Sequence, residues 1–174
     1  SGETPSLANL LKDVLENIRP FVDAAKRNIP VFCAGGVWDQ NDIQSLTEQG
    51  AAGVQMATRF IATEECDASQ AYKDVLLGAK REDVSIIHSP VGMPGRAVHT
   101  PLLKRLVDTG RIPPNHCSRC IKKCNSAQVP FCITNALIEA VKGNLEAGLF
   151  FTGENVGKMK QMTTVPALIK ELGY

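Results

Sequence analysis

No charge of either sign dominates this 174-residue sequence: 19 Lys and Arg stand against 18 Asp and Glu. A nucleic-acid or anionic-membrane partner calls for a basic face, and a net charge of +1 offers none. The basic runs Lys104–Arg105 and Lys122–Lys123 are too short for such a patch and read as solvated faces. Long apolar runs are missing too; nothing approaches the roughly 20 residues that span a bilayer. The opening residues lack the basic segment and apolar core of a secretion signal. Six cysteines are too sparse for a disulfide scaffold. Reduced thiols or metal ligands in a cytoplasmic protein are therefore expected. There is no internal repeat and no low-complexity tract.

What is present is the composition of a folded chain, 44% hydrophobic and 21% charged. Leu7 to Lys26 carries apolar residues at helical spacing, with Pro20 expected to kink or split the helix. Ile29 to Ala34 is a short apolar run ending in Gly35-Gly36, which predicts a strand buried on both faces of a parallel sheet. Asp39 caps a predicted helix with Ile43 and Leu46 inward and Gly50 as its stop. Ala52 to Met56 is a second strand. This alternation is βα grammar, that of a barrel or a doubly wound sheet.

Farther on, Asp67-Ala-Ser-Gln70 reads as an acidic capping box before a helix through Val75 and Leu76. Val84 to Ile87 is strand-like and leads into a Pro/Gly-rich turn, Ser89 to Arg96. Thr100-Pro101 caps a short helix closed by Gly110. Arg111 to Pro130 has little periodicity and reads as a loop-rich insert. Thr134 to Val141 is a helix stopped by Gly143, and Thr164 caps a last one ending near Leu172.

Two strand ends carry the most chemistry. Ala34-Gly-Gly-Val37 follows the first strand and Gln55-Met-Ala-Thr58 follows the second. Glycines let backbone approach a ligand, and free N–H groups at a helix start suit a phosphate. In eight-stranded β/α barrels, the loops after the last two strands commonly form such a site. Thr58 adds a hydroxyl donor. The plainer alternative is that Gly35-Gly36 is a tight strand-to-helix turn.

Ile29-Pro-Val-Phe-Cys-Ala-Gly-Gly-Val-Trp38, Gly50-Ala-Ala-Gly-Val-Gln-Met-Ala-Thr-Arg-Phe60 and Thr63-Glu-Glu-Cys66 together resemble the nitronate monooxygenase family, also called 2-nitropropane dioxygenases. Flavin-dependent enoyl-ACP reductases share the pattern. Pro94-Gly-Arg-Ala97 and Thr152-Gly-Glu-Asn-Val-Gly157 extend the likeness toward the C-terminus. The resemblance implies an α/β fold, the C-terminal part of a TIM-type (β/α)8 barrel with a Cys-containing, loop-rich insert. It implies FMN, with Gly35, Gly36, Ala57 and Thr58 around the phosphate and Gln55 at the strand end nearby. The family usually has glycine where Ala57 stands; the amide donor remains.

Members of the family are roughly twice as long, and a barrel needs about 250 residues. The family's catalytic histidine lies in a Gly-Gly-His segment, and His88, His99 and His116 have no such setting. The expectation is a fragment whose partner is the N-terminal half of the same barrel, with the catalytic residues outside it. The expected division is residues 1–80 as the last βα units, 81–132 as the insert, and 133–174 as helices packing on the barrel.

Cys117, Cys120, Cys124 and Cys132 form C-x2-C-x3-C-x7-C within the insert, a spacing that matches neither a standard zinc ribbon nor the plant or bacterial ferredoxin patterns. Clustered thiolates can hold zinc or an iron–sulfur cluster and would supply folding energy that this segment's apolar content cannot. Four reduced thiols are the alternative. Cys33 and Cys66 read as small core residues. Trp38 is placed to stack on a planar ligand or to pack on a neighbouring helix. Arg96 suits a salt bridge or a substrate contact, and Glu64-Glu65 belongs to a helix dipole.

The expected function is an FMN-dependent oxidoreductase, foremost the oxidative denitrification of alkyl nitronates with O2. The alternatives are an NAD(P)H-dependent enoyl-ACP reductase on the same barrel and a non-catalytic FMN- or metal-binding module. A small-molecule substrate is expected, with neither nucleic acid nor membrane, and a homodimer is compatible with this reading.

Overall fold

Ser6 opens the first helix by accepting a hydrogen bond from Asn9 N at 3.2 Å, and α1 then runs over Leu7–Ala25. The computed structural model describes residues 6–122 and 124–174, the side chains of Asp23 and Ala25 excepted. Lys123, half of one basic pair, and the opening residues 1–5 lie outside them. Pro20 does not divide α1 as expected. It sits on the exposed face, where the Glu16 carbonyl that loses its partner meets water.

The strand β1 (Phe32–Ala34) pairs in parallel with β2 (Gly53–Gln55), Phe32 opposite Gly53 and Ala34 opposite Gln55. Between them lies α2 (Gln40–Glu48), capped by Asp39 with Asp42 completing the box and with Ile43 and Leu46 buried. Burial of β1 on both faces does not hold: Cys33 is buried, but Phe32 is 64% exposed. Among the described residues this parallel sheet has only two strands, so each has an unpaired edge and one face is bare. The covered face packs Cys33, Ile43, Leu46 and Leu168 into one cluster with Leu11 of α1. On the bare face, a Cβ at Gly53 would come within 2.9 Å of the exposed Phe32 ring and push it aside. No closed barrel forms among the described residues.

A short turn of helix, α3 (Thr58–Ile61), precedes α4 (Gln70–Gly78). Asp67 is not its cap. Ser69 lies next to the first helical residue and accepts from Tyr72 N at 3.3 Å, so its hydroxyl fills the role assigned to the carboxylate. The antiparallel hairpin β3 (Val84–His88) and β4 (Pro94–Val98) follows. The expected turn through Arg96 is therefore too long. Proline is tolerated as a strand's first residue, and Ala97 bridges on to Phe151.

Pro101 stands in the first turn of α5 (Pro101–Thr109), and Gly110 ends it in the left-handed region. The Thr100 hydroxyl does not cap the helix; it donates to the Gly148 carbonyl at 3.3 Å instead. From 111 to 132 the described residues hold neither helix nor strand. This loop is pinned at its neck by Ile112 N to Pro130 O at 2.7 Å and by Arg111, which donates to the Val129 and Ser126 carbonyls. α6 (Ile133–Lys142) stops at Gly143, and Thr164 caps α7 (Val165–Glu171) as expected. A core cluster around Leu76, Phe150 and Val156 draws in Ala62, Val98 and Ala140. It therefore takes residues from all three stretches of the expected division. No helix among the described residues is long and apolar enough to cross a membrane.

Candidate functional site

The parallel register of β1 and β2 sets their C-terminal ends side by side, and both open on a cavity of about 410 Å³. Gly35, Gly36, Gln55, Ala57 and Thr58 all line it. Gly35 and Gly36 have φ of +97° and +78°, the left-handed region where a side chain is strained. A Cβ built on either meets nothing within 4 Å, so the backbone faces open space. Among the described residues, the N–H groups of Gly36, Val37, Ala57 and Thr58 donate to no protein acceptor. Unpartnered amides brought together from two strand ends are donors of the kind that can face an anion.

Just ahead of α2, the Asp42 carboxylate accepts from Trp38 N at 2.7 Å and Asp39 N at 3.4 Å, so these two amides are already held within the protein. Ala57 has φ −129°, a conformation open to any residue. Its methyl therefore imposes no backbone strain in place of the family's usual glycine.

The far wall comes from a segment whose role the sequence left unassigned. Thr58 Oγ1 accepts from Gly153 N at 2.8 Å, and Asn155 Nδ2 donates to the Gly36 carbonyl at 2.6 Å. These two bonds tie Thr152 to Asn155 across both strand ends. The motif Thr152-Gly-Glu-Asn was visible as a likeness, but local sequence gives no means of placing it opposite the glycines.

Arg59, also unassigned from sequence, donates to the Trp38 carbonyl at 2.8 Å and lies 5.2 Å over the Trp38 ring. Its other nitrogen holds both Glu171 carboxylate oxygens at 2.7 Å. Trp38 thus packs under a cation and against the central core while lining the cavity. Arg96 pairs with Glu154 at 3.6 Å, and Arg81 shares that carboxylate. The salt-bridge reading of Arg96 fits. Tyr72 closes the inner end, its hydroxyl donating to the Phe151 carbonyl at 3.2 Å. Burial pushes its phenol above the ordinary value, the Cys66 charge adds to this, and the Phe151 bond opposes both.

Cys33 is buried and its thiol is pushed up by that burial, as suits a core residue. Glu65 serves a helix start, though not its neighbour's: it accepts from Val165 N of α7 at 2.9 Å. His88 ends β3, His99 N donates to the Asp83 carbonyl, and His116 lies in the loop; none lines the glycine cavity. Cys117, Cys120, Cys124 and Cys132 line a second concavity of about 910 Å³. Among the described residues, no group of three or more His, Cys, Asp or Glu is gathered tightly enough to hold a single metal ion.

Adjacent parallel strand ends over a glycine-lined hollow define the class: an α/β chain built like part of a β/α barrel. The family model described as nitronate monooxygenase matches residues 2–173, and the chain belongs to that family. A probable nitronate monooxygenase of Staphylococcus saprophyticus is 31% identical over 105 residues, covering 60% of this chain and 29% of that protein. A (3aS,4S,5R,7aS)-5-hydroxy-7a-methyl-1-oxo-octahydro-1H-indene-4-carboxyl-CoA dehydrogenase of Rhodococcus jostii is 27% identical, covering 97% of this chain and 54% of that one. Among solved structures, FabK from Thermotoga maritima superposes with a TM-score of 0.70 at 26% identity, over 98% of this chain and 48% of that chain. The matches thus span between 29% and 54% of the length of these relatives.

Proposed function

We propose that this chain supplies the phosphate grip of an FMN-dependent oxidoreductase, and that the whole protein oxidises alkyl nitronates with O2. The observation that carries the proposal is the open hollow at the two strand ends. There the left-handed Gly35 and Gly36 and the unpartnered N–H groups of Gly36, Val37, Ala57 and Thr58 meet. That donor set suits a phosphate monoester dianion, and the Thr58 hydroxyl keeps its proton to donate because it accepts from Gly153. Bound FMN would carry the electron transfer of the reaction.

The remaining residues act on position. Asn155 fixes the Gly36 carbonyl and with it the plane of the glycine turn. Gln55 stands exposed at the β2 end, where a side-chain amide can reach the cofactor beyond its phosphate. The Arg59–Trp38 pair forms one wall and keeps Trp38 from swinging into the hollow. The proton-handling histidine and the cover over the flavin ring belong to an N-terminal half of the same barrel.

A second reading is favoured by the Rhodococcus relative, whose name specifies a CoA-ester dehydrogenase and which covers nearly the whole chain. On that reading the same grip serves a reductase of acyl thioesters, such as an NAD(P)H-dependent enoyl-ACP reductase. Nitronate-dependent oxygen uptake without NADH oxidation on a crotonyl thioester selects the first reading; the reverse selects the second. The grip is tested by Gly36→Asp in the full-length protein, which sets a carboxylate into the hollow. Retained FMN should fall at least about tenfold, a loss of about 1.4 kcal/mol. Flavin content equal to the wild type removes the assignment.

A further inference from the structure

We propose that Cys117, Cys120, Cys124 and Cys132 ligate a four-iron iron–sulfur cluster, independent of the flavin site. Three observations converge on it. All four thiols are unpaired and line one concavity of about 910 Å³, in a loop that has no helix or strand among its described residues. The loop is closed at its neck by the Arg111 and Ile112 hydrogen bonds, so the cysteines are presented on a bounded lobe.

The second observation is convergence on one helix end. Cys132 is the N-cap residue of the ten-residue α6, and Cys120 Sγ lies 3.2 Å from Thr134 Oγ1 in its first turn. Two cysteines twelve positions apart thus stand at the start of one helix. The third is charge. Between Asp108 and Glu139 the sequence has no carboxylate, while Arg111, Arg119, Lys122 and Lys123 supply four cations. A cluster with four thiolates carries net negative charge, which this basic surround offsets.

Grouping favours iron–sulfur over zinc. Structural zinc sites typically pair their ligands two and two, with all sulfurs about 2.3 Å from one ion. Here three cysteines fall within eight residues and the fourth stands apart, the three-plus-one grouping of cubane ligands. Binding exchanges the four thiol protons for four iron–sulfur bonds.

The test is elemental analysis of the full-length protein purified without oxygen, with flavin measured separately on the same samples. About four iron and four acid-labile sulfide per chain are expected, with an EPR signal appearing on dithionite reduction. Cys124→Ser and Cys132→Ser should each lose most of the iron while keeping FMN, and Cys66→Ser should keep both. Zinc in place of iron overturns the proposal, as does a metal-free wild type whose loop thiols titrate freely. Because flavin content is read independently, failure of the phosphate-grip reading would show as lost FMN with iron intact.

Discussion

At Thr58 a single hydroxyl joins two parts of the chain 95 positions apart, accepting from Gly153 N while facing the hollow. Thr58→Val keeps the shape and removes the acceptor, leaving the Gly153 amide without its partner. An orphaned amide of this kind destabilises by about 1–3 kcal/mol. A lower melting temperature is therefore expected, together with FMN affinity weakened about tenfold. Thr58→Ser should restore both in thermal melts and flavin titration; if Thr58→Val binds FMN as the wild type does, the hydroxyl has no part in the grip. The glycines and small residues of this site were legible at this scale, since their types carry their conformational meaning with them. Asn155, Gly153 and Arg59 were not, because their roles depend on partners far off in sequence.

The elements were read well where capping chemistry is local. Asp39, Gly110, Gly143 and Thr164 bound their helices as expected, each acting within a turn of itself. The misreadings arose where two local signals competed or a distant partner intervened. Asp67 and Ser69 both suit a cap, and only the chain direction into α4 selects the hydroxyl. Ser69→Ala should therefore destabilise by about 1 kcal/mol, whereas the exposed Asp67→Ala should stay within about 0.5 kcal/mol. Denaturant midpoints of the two variants check this, and equal shifts would contradict the assigned cap. Likewise, Pro94 and Gly95 are turn residues by type, yet they pair with β3 in a strand whose other edge is held by Phe150 to Thr152.

On the scale of the whole molecule, the parallel pair β1–β2 and the hairpin leave large apolar side chains in the open, Phe32 at 64% and Ile86 at 60% exposure. Unpaired strand edges beside such residues favour association. If these faces belong inside a longer barrel, the 174-residue chain alone should self-associate, and Phe32→Lys with Ile86→Lys should shift it toward monomer in sedimentation velocity. In the full-length protein the same pair should instead lower the melting temperature, since the charges would be buried. A monomeric chain and an indifferent full-length protein would argue against that placement.

The sequence by itself determined the alternation of helices and short strands, most helix ends, the glycine turn and the family. These rest on backbone preference and apolar spacing within a few residues. Only the tertiary structure decided that Arg59 lies over Trp38, that Thr152–Asn155 walls the hollow, and that Cys132 and Cys120 share the start of α6. Each of those depends on hydrogen bonds or side-chain approaches that exist only once the packed core has fixed which surfaces meet.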